Sequence, residues 1–260
     1  MSKRAGIVGA FFIWAFAMAT SALAADDSRP FGDWAAVVIA GDFHGSNGGP
    51  TEAFDNARRD VTKELQRLGF SPDNIRQFSV RPDRYKDRPL KSDPLAIYRS
   101  LDELSAKARS GCLVYFTSHG APQGVVVDRH ILTPALLGRI LDATCQSRPT
   151  VVILSACFSG VFVRPLAQPN RMILTAARPD RTSFGCGEDN VYPFFDDCVL
   201  KSSPAVRDFA ALAGAVKSCV AQRETAEGMA PPSEPQIWIG GELRPILPLY
   251  AFPTGPPGGD

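Results

Sequence analysis

The chain has 260 residues, of which 45% are hydrophobic and 21% charged, with a formal net charge of +1. That balance suits a globular domain of ordinary size with a sizeable core, and the length does not demand two. It gives no electrostatic reason to expect nucleic acid or an anionic membrane as a partner.

The amino terminus reads as a targeting segment. Lys3 and Arg4 precede an apolar stretch at residues 7–19, and small residues follow, with Ala22-Leu23-Ala24 as the cleavage motif. Residues 1–24 are therefore expected to be a signal peptide. A membrane anchor needs about 20 apolar residues, more than this stretch supplies. The mature protein is expected to be exported, periplasmic or secreted, without stable membrane insertion.

Beyond the leader, residues 34–40 are a continuous apolar run, which suits a strand buried on both faces. Residues 41–50 hold four glycines and a proline, so they form either a wide turn or a backbone that a ligand can approach closely. Phe54, Ala57, Val61, Leu65 and Leu68 recur at steps of three and four and predict a helix over residues 51–68, with Gly69 as its stop. Residues 74–80 alternate and predict a strand, residues 81–94 a solvated loop, and residues 95–108 a second helix. The next apolar strand, from Cys112, ends in Ser118-His119-Gly120. Residues 125–128 predict a short exposed strand, and Thr133-Pro134 caps a helix over residues 135–145. Residues 150–154 are a further buried strand, ending in Ser155-Ala156-Cys157-Phe158-Ser159-Gly160. Residues 171–177 predict a strand, 178–193 an open segment, 205–223 a helical stretch and 236–240 a late strand. Residues 253–260, rich in Pro and Gly, are expected to be disordered. Alternating strands and helices predict an α/β fold with a right-handed, mostly parallel sheet covered on both faces.

Two strand ends carry chemistry. Open α/β sheets place ligands at the carboxyl ends of their strands. If the strands ending near Thr117 and Ser155 are parallel neighbours, His119 faces Cys157, a base beside a nucleophile. The backbone N–H groups of Gly120 and Cys157 then point into the same site as oxyanion donors. The other histidines, His44 and His130, fall in the glycine-rich loop and in a polar turn. No His, Cys, Asp and Glu cluster has zinc-site spacing, so neither metal nor cofactor is expected. The Gly-x-Ser-x-Gly elbow of α/β hydrolases is missing at Ser155-Ala156-Cys157-Phe158-Ser159-Gly160. With Cys157 free, five of the six cysteines remain, allowing at most two bridges. Cys186 and Cys198 flank a segment that a bridge would close, Cys145 and Cys219 lie on helices, and Cys112 reads as a small buried hydrophobe. Spacing does not fix the connectivity.

The two tips, in this order and with a helix between them, resemble those of caspase-like cysteine peptidases, most of all the legumain-type branch, peptidase family C13. That branch includes asparaginyl endopeptidases and the transamidase that attaches glycolipid anchors. The similarity runs from about residue 34 to about residue 198. It implies a three-layer αβα sandwich with a mostly parallel central sheet, residues 30–252 forming one peptidase domain. It implies a cysteine endopeptidase acting on peptides or proteins through a His119 and Cys157 dyad and an acyl-thioester. A transamidase using the same dyad and a catalytically silent peptide-binding relative are the alternatives, and the oligomeric state stays open. The resemblance also points to Asn47, Thr51, Thr182 and Ser183 as substrate-binding positions, with Asn47 placed to orient the histidine. The legumain branch reads its substrate with an Arg after the first strand and a Glu right after the catalytic Cys. Thr51 and Phe158 stand at those places, so cleavage after Asn or Asp is not implied. The carboxylates of Glu52, Glu188 and Asp189 near this edge would favour a basic side chain by charge pairing.

Overall fold

The computed structural model describes residues 30–253. The expected signal peptide and the tail beyond Pro253 lie outside them. Along the chain the elements are β1 (Trp34–Ala40), α1 (Ala53–Arg67), β2 (Ile75–Ser79), β3 (Leu90–Lys91), α2 (Pro94–Lys107), β4 (Gly111–Thr117), β5 (Gly120–Ala121), β6 (Gly124–Val127), β7 (His130–Leu132), α3 (Pro134–Thr144), β8 (Thr150–Ser155), α4 (Val163–Leu166), β9 (Arg171–Thr175), α5 (Phe194–Ser202), α6 (Phe209–Ala226) and β10 (Gln236–Ile239).

Seven strands form one sheet in the order β10-β9-β8-β4-β1-β2-β3. All neighbours are parallel except β10, which runs antiparallel to β9. Each of β1, β4, β8 and β9 is buried along its whole length, which is why their sequences read as unbroken apolar runs rather than as alternations. Alternate residues of every strand go to opposite faces. Trp34, Ala36, Val38, Leu113, Tyr115, Val151 and Ile153 join a core with α1, α5 and α6. Ala35, Val37, Ile39, Val114, Phe116, Val152 and Leu154 join a second core with α2, α3 and α4. Helix, sheet, helix is the three-layer arrangement the alternation of elements predicts.

Local chemistry sets the helix ends. Asp93 caps α2, accepting from Leu95 N and Ala96 N at 3.0 and 2.9 Å. Thr133 Oγ1 caps α3, and Asp208 caps α6. Each leaves fewer unpaired N–H groups in the first turn. At the end of α1, Gly69 takes φ +105°, a left-handed turn that a side chain would resist.

Four expectations need correction. Residues 125–127 are not exposed: β6 is the middle strand of a small β5-β6-β7 sheet, and Val125 and Val127 are buried in the second core. The segment 81–94 is not wholly a solvated loop, since Leu90 and Lys91 extend the sheet edge beside β2. The helical stretch expected over residues 205–223 begins only at Phe209, behind the Asp208 cap, and α5 precedes it. Finally, Cys112 is bonded to Cys145, and Cys198 to Cys219 rather than to Cys186. Cys157 and Cys186 are free. The first bridge ties β4 to the end of α3, the second ties α5 to α6.

The bridges close spans of 33 and 21 residues. Chain entropy gives each a stabilisation of about 3–4 kcal/mol. Replacing Cys112 and Cys145 together with Ala is expected to lower the unfolding free energy by at least that amount, read as a shift of the urea midpoint.

Candidate active site

The order β8-β4-β1-β2 places a switch point between β4 and β1: the chain leaves β1 towards β2, then returns to lay β4 and β8 on its other side. Crevices open at such points. Strands β4 and β8 pair in parallel with Thr117 opposite Ser155. Ser118 N donates to Ser155 O at 3.0 Å, so the two chains leave the sheet side by side. His119 and Cys157 each stand two residues past those paired ends. Both are half-buried.

The imidazole is held from one side. His119 Nε2 donates to the carbonyl oxygen of His44 at 2.9 Å. A carbonyl has no proton to give, so Nε2 carries the hydrogen, and in the neutral ring Nδ1 is left as the base. Phe54 and the imidazole pack in a T-shaped pair, ring centroids 5.2 Å apart. Orientation therefore comes from the backbone of the glycine-rich loop. The side chain of Asn47 makes no hydrogen bond to His119 among the described residues; it is exposed at the turn. His44 itself is tied to Asp42 by Nδ1 and Oδ1 at 2.7 Å.

The thiol is held from the other side. Ser183 N donates to Cys157 Sγ at 3.3 Å, and the carbonyl and hydroxyl oxygens of Ser183 lie 3.6 Å from the sulfur. No hydrogen bond joins Cys157 to His119 among the described residues. Phe158 turns sharply after the cysteine with φ +58°, and its N–H is taken by Arg181 O at 2.8 Å. The N–H of Cys157 meets no protein acceptor among the described residues. Gly120 is required by closeness. A Cβ there would lie 2.0 Å from the carbonyl oxygen of Cys157. It is thus the protein's own strand tip that demands glycine.

The remaining expected positions separate. Thr51 is buried, and its hydroxyl accepts from Ala53 N at the start of α1 and donates to Gly187 O at 3.2 Å; it supports the loop after β9. Thr182 is exposed and Ser183 is in the site. A cavity of about 300 Å³ opens beside Ser183, lined among others by Phe184, Cys186, Asn190, Phe194 and Met229. Burial and the neighbouring Cys157 push the Cys186 thiol up. Neither Glu52 nor Glu188 lines it. Glu52 is bound to Arg81, Arg84 and Tyr85, and Glu188 accepts from Gly49 N at 3.1 Å. Charge pairing of these two with a basic substrate side chain gains no support. The segment 182–190 and the glycine-rich loop are joined further by Ser46 N donating to Cys186 O.

One group here escaped the sequence. Asp196, on α5, is fully buried beneath the paired tips and accepts from Tyr115 Oη, Thr117 Oγ1 and Ser155 Oγ at 2.6, 3.0 and 2.6 Å. Burial pushes its carboxyl up to about 7, while the hydroxyl donors pull the other way. Hydrogen bonds to a charged acceptor contribute about 1.5–3 kcal/mol each, so three of them are of the size needed to offset the several kcal/mol that burying an ion costs. Burial, and then the carboxylate of Asp196, hold the Tyr115 phenol well above its ordinary value, so it remains a donor. Only two adjacent carboxylates after two phenylalanines mark the place in sequence, and no spacing ties them to the tips. Among the described residues no group of three His, Cys, Asp or Glu side chains is arranged to hold a metal.

The description "Peptidase C13 family" belongs to the family model that matches residues 90–219, a span holding both strand tips, Ser183 and Asp196. Among solved structures, the fold is similar to that of caspase-1 from Spodoptera frugiperda, with a TM-score of 0.58 and 14% identity over 80% of this chain and 88% of that chain. The three-layer, mostly parallel architecture is thus caspase-like. Comparison with curated proteins finds no match.

The contact at Gly120 gives a direct check. Gly120→Ala is expected to cost about 1–3 kcal/mol by overpacking, measured by urea unfolding. Gly214→Ala on α6, where an added Cβ meets nothing within 4 Å, is expected to be neutral or to stabilise by up to about 1 kcal/mol.

Proposed function

The chain belongs to the peptidase C13 family, and from that premise we propose that it is an exported cysteine endopeptidase working through Cys157 and His119. The single observation that carries the reading is the parallel register of Thr117 with Ser155, which supports a thiol and an imidazole acting together two residues beyond those paired ends. Membership of a peptidase family implies peptide or protein substrates.

In the proposed cycle Cys157 Sγ attacks the scissile carbonyl carbon and its proton passes to His119 Nδ1. The carbonyl oxygen gains the negative charge and is met by the N–H groups of Cys157 and Gly120. When the tetrahedral centre collapses, the C–N bond breaks and the proton on His119 goes to the departing amine, leaving an acyl-thioester. Water, deprotonated by the same imidazole, then releases the acid and the free thiol. The His44 carbonyl keeps Nε2 protonated and stabilises the imidazolium that forms between the two proton transfers. The hydrogen bond from Ser183 N–H holds the sulfur in place for attack. A substrate side chain enters the cavity walled by Phe184, Phe194 and Met229. Export is supported by the basic, apolar and small-residue order of residues 3–25 and by two disulfides, which persist in oxidising compartments.

The test uses chain beginning at Ala25, mild reductant and a diverse fluorogenic peptide library. Turnover is expected in the parent, with Cys157→Ala and His119→Ala each losing at least about 10³-fold while keeping the parent's circular dichroism. A parent without turnover, whose Cys157 alkylates no faster than an ordinary thiol, would overturn the reading in favour of a peptide-binding relative. Product formation only when a free amine is added would identify a transamidase.

A further inference from the structure

We propose that Asp196 is a positioning residue for the Cys157 and His119 site, tying the tip of β4 to the tip of β8 through one carboxylate. Its kinetic consequence rests on the peptidase reading above; the geometry does not. Oδ2 accepts from both Thr117 Oγ1 and Ser155 Oγ, the last residues of their strands and partners in register. Each stands two residues before a residue of the site. Apart from the strand ladder itself, the bond from Ser118 N to Ser155 O is the backbone tie between the two tips, so the carboxylate adds the side-chain tie beneath it. Helix α5 begins directly after the segment that carries Ser183, and Phe194 N donates to Phe184 O at 3.0 Å. Through α5, whose first residue holds Phe184, the carboxylate thus links both tips to the segment that carries Ser183.

Fold stability alone does not ask for a carboxylate here. Asp196 is 0% exposed, and among the described residues no cation pairs with it. Well-packed apolar side chains commonly replace buried ionic groups without loss of stability. The groups facing it are Tyr115 and Thr117 from β4 and Ser155 from β8. On α1, Asp55 and Arg58 pair with each other, and on α6, Arg223 is engaged by Asp197 and Glu227. With no cation to hold the charge, burial brings the titration of Asp196 near neutrality. Ionised, the carboxylate accepts from all three hydroxyls. Protonated at Oδ2, it becomes a donor, and the Ser155 or the Thr117 hydroxyl must turn to accept. One of the two ties then reverses its donor and acceptor, so its strength changes with the protonation of Asp196.

The experiment follows alkylation of Cys157 by iodoacetamide, with peptide mapping to separate it from Cys186, and peptide turnover in parallel. Both are taken from about pH 5 to about pH 9, a range spanning ordinary His and Cys titration. Asp196→Asn keeps the shape but not the ionisation. It is expected to fold like the parent, to shift the limb near neutrality in both profiles, and to lower kcat by about tenfold or more with little change in KM, as misplacement of reacting groups does. Ser155→Ala cuts one tie and is expected to shift both profiles in the same direction by less. Asp196→Asn and Ser155→Ala profiles that superimpose on the parent's would overturn the assignment. Should Asp196→Ala fail to fold, those two variants still decide it. A parent that alkylates with the expected limb yet turns over no peptide would sink the peptidase reading and leave Asp196 as the positioning group.

Discussion

The site depends on the register between β4 and β8. Both strands are buried on two faces, and each alternate residue belongs to a different core. A slip of one residue would send Tyr115 and Leu113 to the face now held by Val114 and Phe116, and the two helix layers are not interchangeable. Register is therefore fixed by packing along the whole length of the strands, far from the chemistry. Once Thr117 stands opposite Ser155, the positions of His119 and Cys157 follow from chain continuity.

What the sheet leaves free, the loops settle with main-chain polar groups. Three loops meet at the crevice: residues 41–50 after β1, the tip after β4, and the segment after β9. They are joined by Gly49 N to Glu188, Ser46 N to Cys186 O and Thr51 Oγ1 to Gly187 O. His119 is oriented by a carbonyl and Cys157 by an N–H, both backbone groups of these loops. Backbone donors and acceptors tolerate many side chains, so the parts that hold His119 and Cys157 carry little residue signature. The close approach at Gly120 is the exception, because sterics there exclude everything else.

The two bridges reinforce the same layers rather than the loops. Cys112–Cys145 ties the central strand to α3 on one face, and Cys198–Cys219 ties α5 to α6 on the other. Cys157 and Cys186, the free pair, both lie at the crevice. The fold thus keeps its oxidised sulfurs in the packed layers and its thiols at the open edge.

The sequence by itself determined the order of β1, α1, β2, α2, β4, α3, β8, β9 and β10, the two apolar tips and the residues on them, because burial on two faces writes itself as unbroken apolar runs and helix caps are local. It also limited the bridges to two. It could not say which cysteines meet, that Val125 and Val127 are buried, or that the His44 carbonyl and not the Asn47 side chain holds the histidine. Those depend on contacts between segments far apart in the chain, and no local period records them. Asp196 is the clearest case. Nothing near it in sequence distinguishes it from a solvated carboxylate, and only the packing of α5 under the paired strand ends brings it to Thr117 and Ser155.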